Sequence, residues 1–354
     1  MLPTRSFWEG RRVLLTGHTG FKGSWTALWL ERLGADVAGY ALAPDQSPAL
    51  HDLLAPFDRA SSTIADLADH ERLRTVVTGF APQVVLHLAA QPLVRRSYRE
   101  PRETFAANVQ GTVNVLDAAR EVEGLEAVLV VTTDKVYANA GVPTAFVEDD
   151  RLGGHDPYSA SKAACEIATA SYRASFLGPA GVGVGTARAG NVVGGGDWSE
   201  DRLVPDVWRA VRAGRPLELR YPDATRPWQH VLEPIAGYLL HAEALASAPA
   251  TAPLALNFGP APGTPESTVA EVADAVAREL GAEHGWVQAP GDHPPEMATL
   301  ALDASQAIAT LGWSPRLDPG TTLRWTAEWY RDHDAGADAR DLTLAQIERY
   351  EELA

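Results

Sequence analysis

Short apolar runs alternate with amphipathic stretches through the first half of the chain, and the change of period from one to the next predicts strands and helices in succession. Residues 12–16 read as a first strand, and 23–33 as a helix carrying Trp25, Leu28, Trp29 and Leu33 on one stripe, with Gly34 as its stop. Strands follow at 36–40, 61–64, 83–88 and 127–132, separated by helical stretches at 69–78 and 101–121. A further helix opens where Asp156 can cap it and Pro157 can fill its first turn, and a strand at 182–187 comes next. Apolar strands alternating with helices predict a doubly wound, Rossmann-type α/β fold, its parallel sheet covered on both faces.

Past Asn191 the regularity breaks at Gly194, Gly195 and Gly196, and shorter, proline-rich elements predict a smaller mixed α/β lobe. The expected division is a dinucleotide-binding domain over 1–190 and a substrate lobe over most of 191–354. Segments near 230–260, a helix at 234–245 and a strand at 255–258, return to the first sheet, so the lobes interleave. Late helices are predicted at 269–280, 304–311, 321–332 and 342–350. No repeat or low-complexity segment is visible.

The 354 residues carry a formal net charge of -16, which disfavours nucleic acid or an anionic membrane as partner. Any phosphate must therefore meet a local basic patch. The one cysteine, Cys165, excludes an internal disulfide and reads as a buried packing residue. Residues 1–10 lack the apolar core of a signal peptide, and no apolar run approaches the ~20 residues that span a bilayer. A soluble, cytoplasmic protein is expected.

Tyr158 and Lys162 carry the most chemistry. Four positions apart on one helix, they lie over each other, so the ammonium can favour the ionised phenol, and a side chain of pKa ~10 becomes a usable base. Gly17, Thr19, Gly20, Phe21, Lys22 and Gly23 follow the first strand and open the first helix, where glycines admit a pyrophosphate to backbone N–H groups. Gly-x-x-Gly-x-x-Gly departs from the general dinucleotide spacing; its pairing with Tyr158 and Lys162 distinguishes it from an ordinary strand-to-helix turn. The acidic residue expected ~20 positions on is missing from Tyr40-Ala41-Leu42, with Asp45 just beyond. No Arg or Lys lies between Gly34 and Asp58 to meet a 2′-phosphate, which favours NAD over NADP. Asp66 and Leu67 can hold the adenine edge, and Leu88, Ala89, Ala90 and Gln91 can let the cofactor pass close by, while His87 reads as a core histidine. Thr132, Thr133, Asp134 and Lys135 end a strand that faces the ligand crevice. In the second lobe Arg202, Arg220 and Arg226 are candidates for a diphosphate, and Asn191 and Trp198 for sugar and base. No metal-binding pattern occurs.

Together these strings resemble the extended short-chain dehydrogenase/reductase superfamily. The fuller strings, 16–25, 87–98, 132–137, 153–162, 187–191, 194–206 and 226–231, resemble the CDP-glucose 4,6-dehydratase family over nearly the whole chain. The resemblance implies that NAD is the cofactor, held also by Asn108, Thr132, Tyr158, Lys162 and Arg188, and that Thr133, Asn191 and Leu203 join the substrate residues. It implies a cycle in which Tyr158, helped by Thr133 and Lys162, takes the 4-hydroxyl proton of CDP-glucose, Asp134 protonates the departing 6-hydroxyl, and hydride returns to carbon-6. Where related dTDP-glucose dehydratases carry a glutamate base this chain has Lys135, either a base at carbon-5 or an electrostatic stabiliser. A nucleotide-sugar 4-epimerase or a non-catalytic NAD sensor would share the cofactor residues; Asp134-Lys135 favours dehydration. A homodimer or homotetramer is also implied.

Overall fold

The computed structural model describes residues 1–55, 57, 60–139, 145–291 and 300–353. Seven strands form its main sheet: β1 (Arg12–Thr16), β2 (Asp36–Ala41), β3 (Ala60–Ile64), β4 (Val84–His87), β5 (Ala127–Val131), β6 (Gly183–Ala189) and β7 (Ala255–Phe258). Their order is β7-β6-β5-β4-β1-β2-β3, and every pairing is parallel.

Nine helices are used below: α1 (Phe21–Arg32), α2 (His70–Phe80), α3 (Gly111–Ala119), α4 (Pro157–Tyr172), α5 (Leu203–Arg212), α6 (Leu232–Ser247), α7 (Val269–Glu279), α8 (Pro319–Asp334) and α9 (Ala339–Glu351). Strand residues alternate between two cores, as the two-residue period of a strand requires. Val13, Leu15, Val84, Leu86 and Leu129 pack on Trp25 and Trp29 of α1 and Ile235 and Leu239 of α6. Leu14, Val85, Val128 and Val130 pack on Leu73 and Val77 of α2 and Val115 and Leu116 of α3. Burial on both sides explains why the strands read as continuous apolar runs.

The chain runs from β1 outward to β3, then crosses back to place β4 on the other side of β1. Connections diverge at the C-terminal ends of β1 and β4, which opens the crevice where doubly wound sheets hold their ligands. The strand expected at 255–258 is β7, paired with β6 at the sheet edge, and the helix ahead of it is α6. The single helix expected over 101–121 is instead interrupted by a π-helical turn at Ala106–Gln110. That extra residue per turn frees Asn108 to bond outside its own helix. Leu203–Arg212, unmarked in the sequence reading, is a helix, and α9 closes over α1: the Trp29 indole donates to Glu351 at 2.9 Å.

Candidate active site

Gly17 takes φ 76°, and a Cβ there would sit 2.7 Å from the Ala89 nitrogen; one at Gly23 would sit 2.0 Å from the Gly17 carbonyl oxygen. Those two glycines let β1, the loop after β4 and α1 meet. Gly20 differs, since a Cβ there would find only the Gly17 oxygen at 3.4 Å. It caps α1 with no side-chain hydrogen bond, and no acidic residue lies in the first turn. An exposed glycine at an uncapped helix N-terminus forms a cradle for an anion, and it fits the pyrophosphate of a dinucleotide. Thr19 donates to the Leu42 carbonyl at 2.8 Å, and His18 bonds Ser62 of β3 at 2.7 Å, holding the cradle against β2 and β3. Phe21 begins α1, half-buried. Asp45 pairs with Arg96 at 3.4 Å.

Asp66 is exposed at the end of β3, and the Leu67 carbonyl accepts from Asn114 at 2.8 Å. After β4, the Leu88 N–H donates to the Thr16 carbonyl (3.2 Å), the Ala89 N–H to the Thr16 hydroxyl (3.2 Å), and Ala90 is half-buried in the loop. The Gln91 N–H donates to Asn108 Oδ1 at 2.7 Å, and Asn108 Nδ2 donates to Ser161 of α4 at 2.8 Å. Asn108 is thus a clamp between that loop and α4. His87 is the satisfied core histidine the sequence suggested, bonded to Thr16 (2.7 Å) and Thr112 (3.0 Å), with burial lowering it to about 3. Cys165 is buried as expected, its thiol donating to the Asn108 and Ser161 carbonyls.

Asp156 caps α4 by accepting from the Ser159 N–H at 2.9 Å, so Tyr158 and Lys162 enter the crevice from the first turns. Burial pushes the Tyr158 phenol up to about 12, against the lowering effect of a hydrogen bond to Thr133 and the charge of Arg202. The Lys162 ammonium donates to the Val131 carbonyl at 2.9 Å, and burial pushes it below its usual value. The phenol is therefore steadied in this structure by Thr133 and Arg202 ahead of Lys162. Thr133 donates to Asp134 Oδ1 at 2.9 Å, and Lys135 Nζ pairs with the same oxygen at 3.3 Å. Asp134 Oδ2 is buried and lacks a hydrogen-bond partner among the described residues. It faces Gly190, where a Cβ would come within 3.2 Å of it. Lys22 enters from α1, and burial lowers its ammonium to about 7, with Arg202 and Lys162 adding to the shift and Asp134 opposing it. Lys22, Lys162, Arg202 and Asp134 thus lie close enough for their charges to act on one another, and Lys135 pairs directly with the carboxylate.

Two sequence expectations are corrected here. Arg188 does not turn toward the crevice: its fork embraces Glu166 at 3.0 and 2.8 Å and donates to the Tyr137 hydroxyl at 2.8 Å, because a buried guanidinium needs a buried anion. Thr132 joins the same network by donating to Glu166. Trp198 is 4 % exposed, edge-on to Trp329 at 5.7 Å and Tyr330 at 6.1 Å, so the large apolar ring is core and offers no face to a base. Arg202 donates to the Pro92 carbonyl at 3.2 Å, Arg220 pairs with Asp201 at 3.5 Å, and the buried Arg226 donates to the Thr225 carbonyl at 2.7 Å. Asn191 and Leu203 lie half-buried on either side of the Gly-rich turn. Sequence reasoning missed Tyr238 of α6, whose buried hydroxyl lacks a partner among the described residues and whose titration feels Tyr158 and Asp134. Inside an apolar helix it carried no signal.

The model of the NAD dependent epimerase/dehydratase family matches residues 13–256. The chain belongs to this family. NAD is accordingly its cofactor, and the open cradle at Gly17, Gly20 and the start of α1 could hold its pyrophosphate. The chain is similar to the CDP-glucose 4,6-dehydratase of Salmonella typhimurium, 41% identical over 351 residues that cover 98% of each protein. It is 29% identical to the UDP-glucose 4-epimerase of Mycolicibacterium smegmatis, over 91% of this chain and 99% of that one. Among solved structures, the dTDP-glucose 4,6-dehydratase of Streptomyces venezuelae with NAD bound matches at TM-score 0.78 and 25% identity, over 92% of this chain and 98% of that chain. Among the described residues no helix is long and apolar enough to cross a membrane, and no cluster of three or more His, Cys, Asp or Glu could hold a metal.

Proposed function

We propose that this protein is a hydro-lyase that converts CDP-glucose to CDP-4-keto-6-deoxyglucose for deoxysugar biosynthesis. The observation that carries it is the Asp134 carboxylate, with one buried oxygen unpartnered and the other shared by Thr133 and Lys135, beside Tyr158. A buried acceptor without a donor is costly, and a substrate hydroxyl supplies one.

Tyr158 takes the proton of the sugar 4-hydroxyl, with Arg202 steadying the phenolate and Thr133 joining it once its hydroxyl turns from Asp134. NAD, when bound, supplies a hydride acceptor at carbon-4, a donor at carbon-6 and a positive ring beside the phenol. The 4-ketone acidifies the carbon-5 hydrogen, and water then leaves across carbons 5 and 6. Lys135 and Asp134 can serve both ends of that elimination with one proton. Transfer within the 3.3 Å pair gives a neutral amine and a carboxylic acid; the amine removes the carbon-5 proton while the acid protonates the departing hydroxyl, the ammonium then gives its proton back to carbon-5 as carbon-6 is reduced, and the proton held by Tyr158 returns to the amine to restore ammonium, carboxylate and phenolate. Lys135 acts as the base in this scheme.

Incubation with CDP-glucose and NAD tests the reading, with the product expected to be lighter by one water. An unchanged mass with inverted carbon-4 would establish an epimerase instead, and preference for another nucleotide in a substrate panel would overturn the CDP assignment. The helices at 94–119 and 157–177 expose Tyr98, Phe105, Ile167 and Phe176, which supports a homodimer or homotetramer built through them in a cytoplasmic enzyme. Sedimentation as a monomer would remove that part.

A further inference from the structure

Asp201, next to Arg202 and just ahead of α5, lies between two arginines from different parts of the fold. Arg95, on the short helix Val94–Arg99 after β4, reaches Asp201 Oδ1 with Nη1 at 2.7 Å, and Arg220, at the end of the strand Leu217–Leu219, reaches the same oxygen at 3.5 Å. The neighbouring Arg202 donates to the Pro92 carbonyl, tying the second lobe to the loop that carries Arg95. Its charge also acts on Lys22 and Tyr158, which sets the cluster at the mouth of the crevice.

The Arg95 and Arg220 guanidiniums would repel one another, and one carboxylate holds the two at fixed spacing, with Arg202 the next residue in the chain. Arg95, Arg202 and Arg220 around Asp201 leave a surplus of two positive charges. Asp206, also nearby, is neutralised by Arg209 at 2.6 Å. A surplus of two matches the double negative charge of a nucleotide-sugar diphosphate. Both contacts use one carboxylate oxygen and one nitrogen from each arginine, so each fork keeps further N–H groups for phosphate oxygens. Asp201 itself takes φ 58°, a backbone that Asp tolerates better than most residues.

We infer that Arg95 is a diphosphate-binding residue, brought to the substrate lobe from the nucleotide-binding half of the fold, and that Asp201 is the positioning residue that sets Arg95 and Arg220 at phosphate spacing. The inference rests on the proposed nucleotide-sugar substrate and names how its diphosphate is held. Arg95, Asp201 and Arg220 join the crevice to the second lobe, so bound substrate also clamps the two together.

Calorimetric titration of the NAD-loaded protein with CDP, and in parallel with UDP and dTDP, tests it without turnover. Arg95→Ala is expected to weaken all three by a similar factor, about tenfold or more, because the clamp does not read the base, and to flatten the salt dependence of binding. Arg95→Gln is expected to behave alike, and circular dichroism checks that each variant folds. Asp201→Asn is expected to weaken binding in the native background and to weaken it less on top of Arg95→Ala, where only Arg220 is left for the carboxylate to position, the non-additivity of a residue acting through others. Unchanged CDP affinity in both Arg95 variants would overturn the inference while leaving the proposed reaction standing, as would tighter binding in Asp201→Asn, which would make the carboxylate a competitor of phosphate. Failure of the native protein to bind any of the three nucleotides would remove the proposed reaction and the clamp together.

Discussion

A phenol raised to about 12 is a weak acid, and Tyr158 can serve near neutrality only when local cations stabilise its anion. Ultraviolet titration of the protein, with Tyr158→Phe as reference, is expected to show this phenol ionising near 12 without cofactor and at lower pH when oxidised NAD is added. Equal titration in both states would exclude it as the base. Lys135→Met keeps the methylene stem but cannot move a proton; it is expected to lower kcat by about 100-fold or more while nucleotide affinity holds, measured by product mass and calorimetry. That Tyr158 and Lys162 share one helix was legible in the sequence, because that relation is local; that Lys162 turns to the Val131 carbonyl was not. Arg188, Trp198 and Tyr238 were not, because partners distant in the chain decide which way each side chain turns. Glu166 claims Arg188, the aromatic cluster of α8 claims Trp198, and only the packed sheet brings Tyr238 against the site.

Elements carry the cofactor cradle, and two glycines in it answer different demands. Gly17→Ala would force a Cβ into the Ala89 backbone at positive φ, so a loss of stability of about 2 kcal/mol or more is expected. Gly20→Ala meets nothing closer than 3.4 Å and keeps ordinary backbone angles, so denaturant midpoints should stay close to those of the native protein while NAD affinity falls by about tenfold. Equal effects of the two changes would mean that Gly20 is structural. Strand positions were readable to within a residue or two because strands buried on both faces leave apolar runs, and α4 because Asp156 and Pro157 mark its start. The π turn at Ala106–Gln110 was not readable: Asn108 adopts it to reach Gln91 and Ser161, contacts that exist only after β4 and α4 have packed. Nor was α5, whose first residues follow a Gly-rich turn that reads as loop.

For the molecule as a whole, acid is the expected weakness. Burial holds His18 and His241 near 4 and His87 and His230 near 3, below the 6.5 of an unfolded chain. Between those values the unfolded chain binds protons that the native one refuses, so stability is intact above pH 6.5 and falls as pH drops through the window toward 3. Four such groups give a slope of about 5 kcal/mol per pH unit near pH 5.5. Thermal unfolding followed from pH 8 to 4.5 checks this; a flat profile below 6.5 would show that the histidines are solvated. β7 reaches β6 only after the chain has passed through the Gly-rich turn, α5 and α6. On the ribosome, therefore, the first half emerges with β6 as a bare edge whose N–H and C=O groups wait for a strand some sixty residues behind. A nascent chain stalled in that interval offers its neighbours on a polysome a template for illicit pairing.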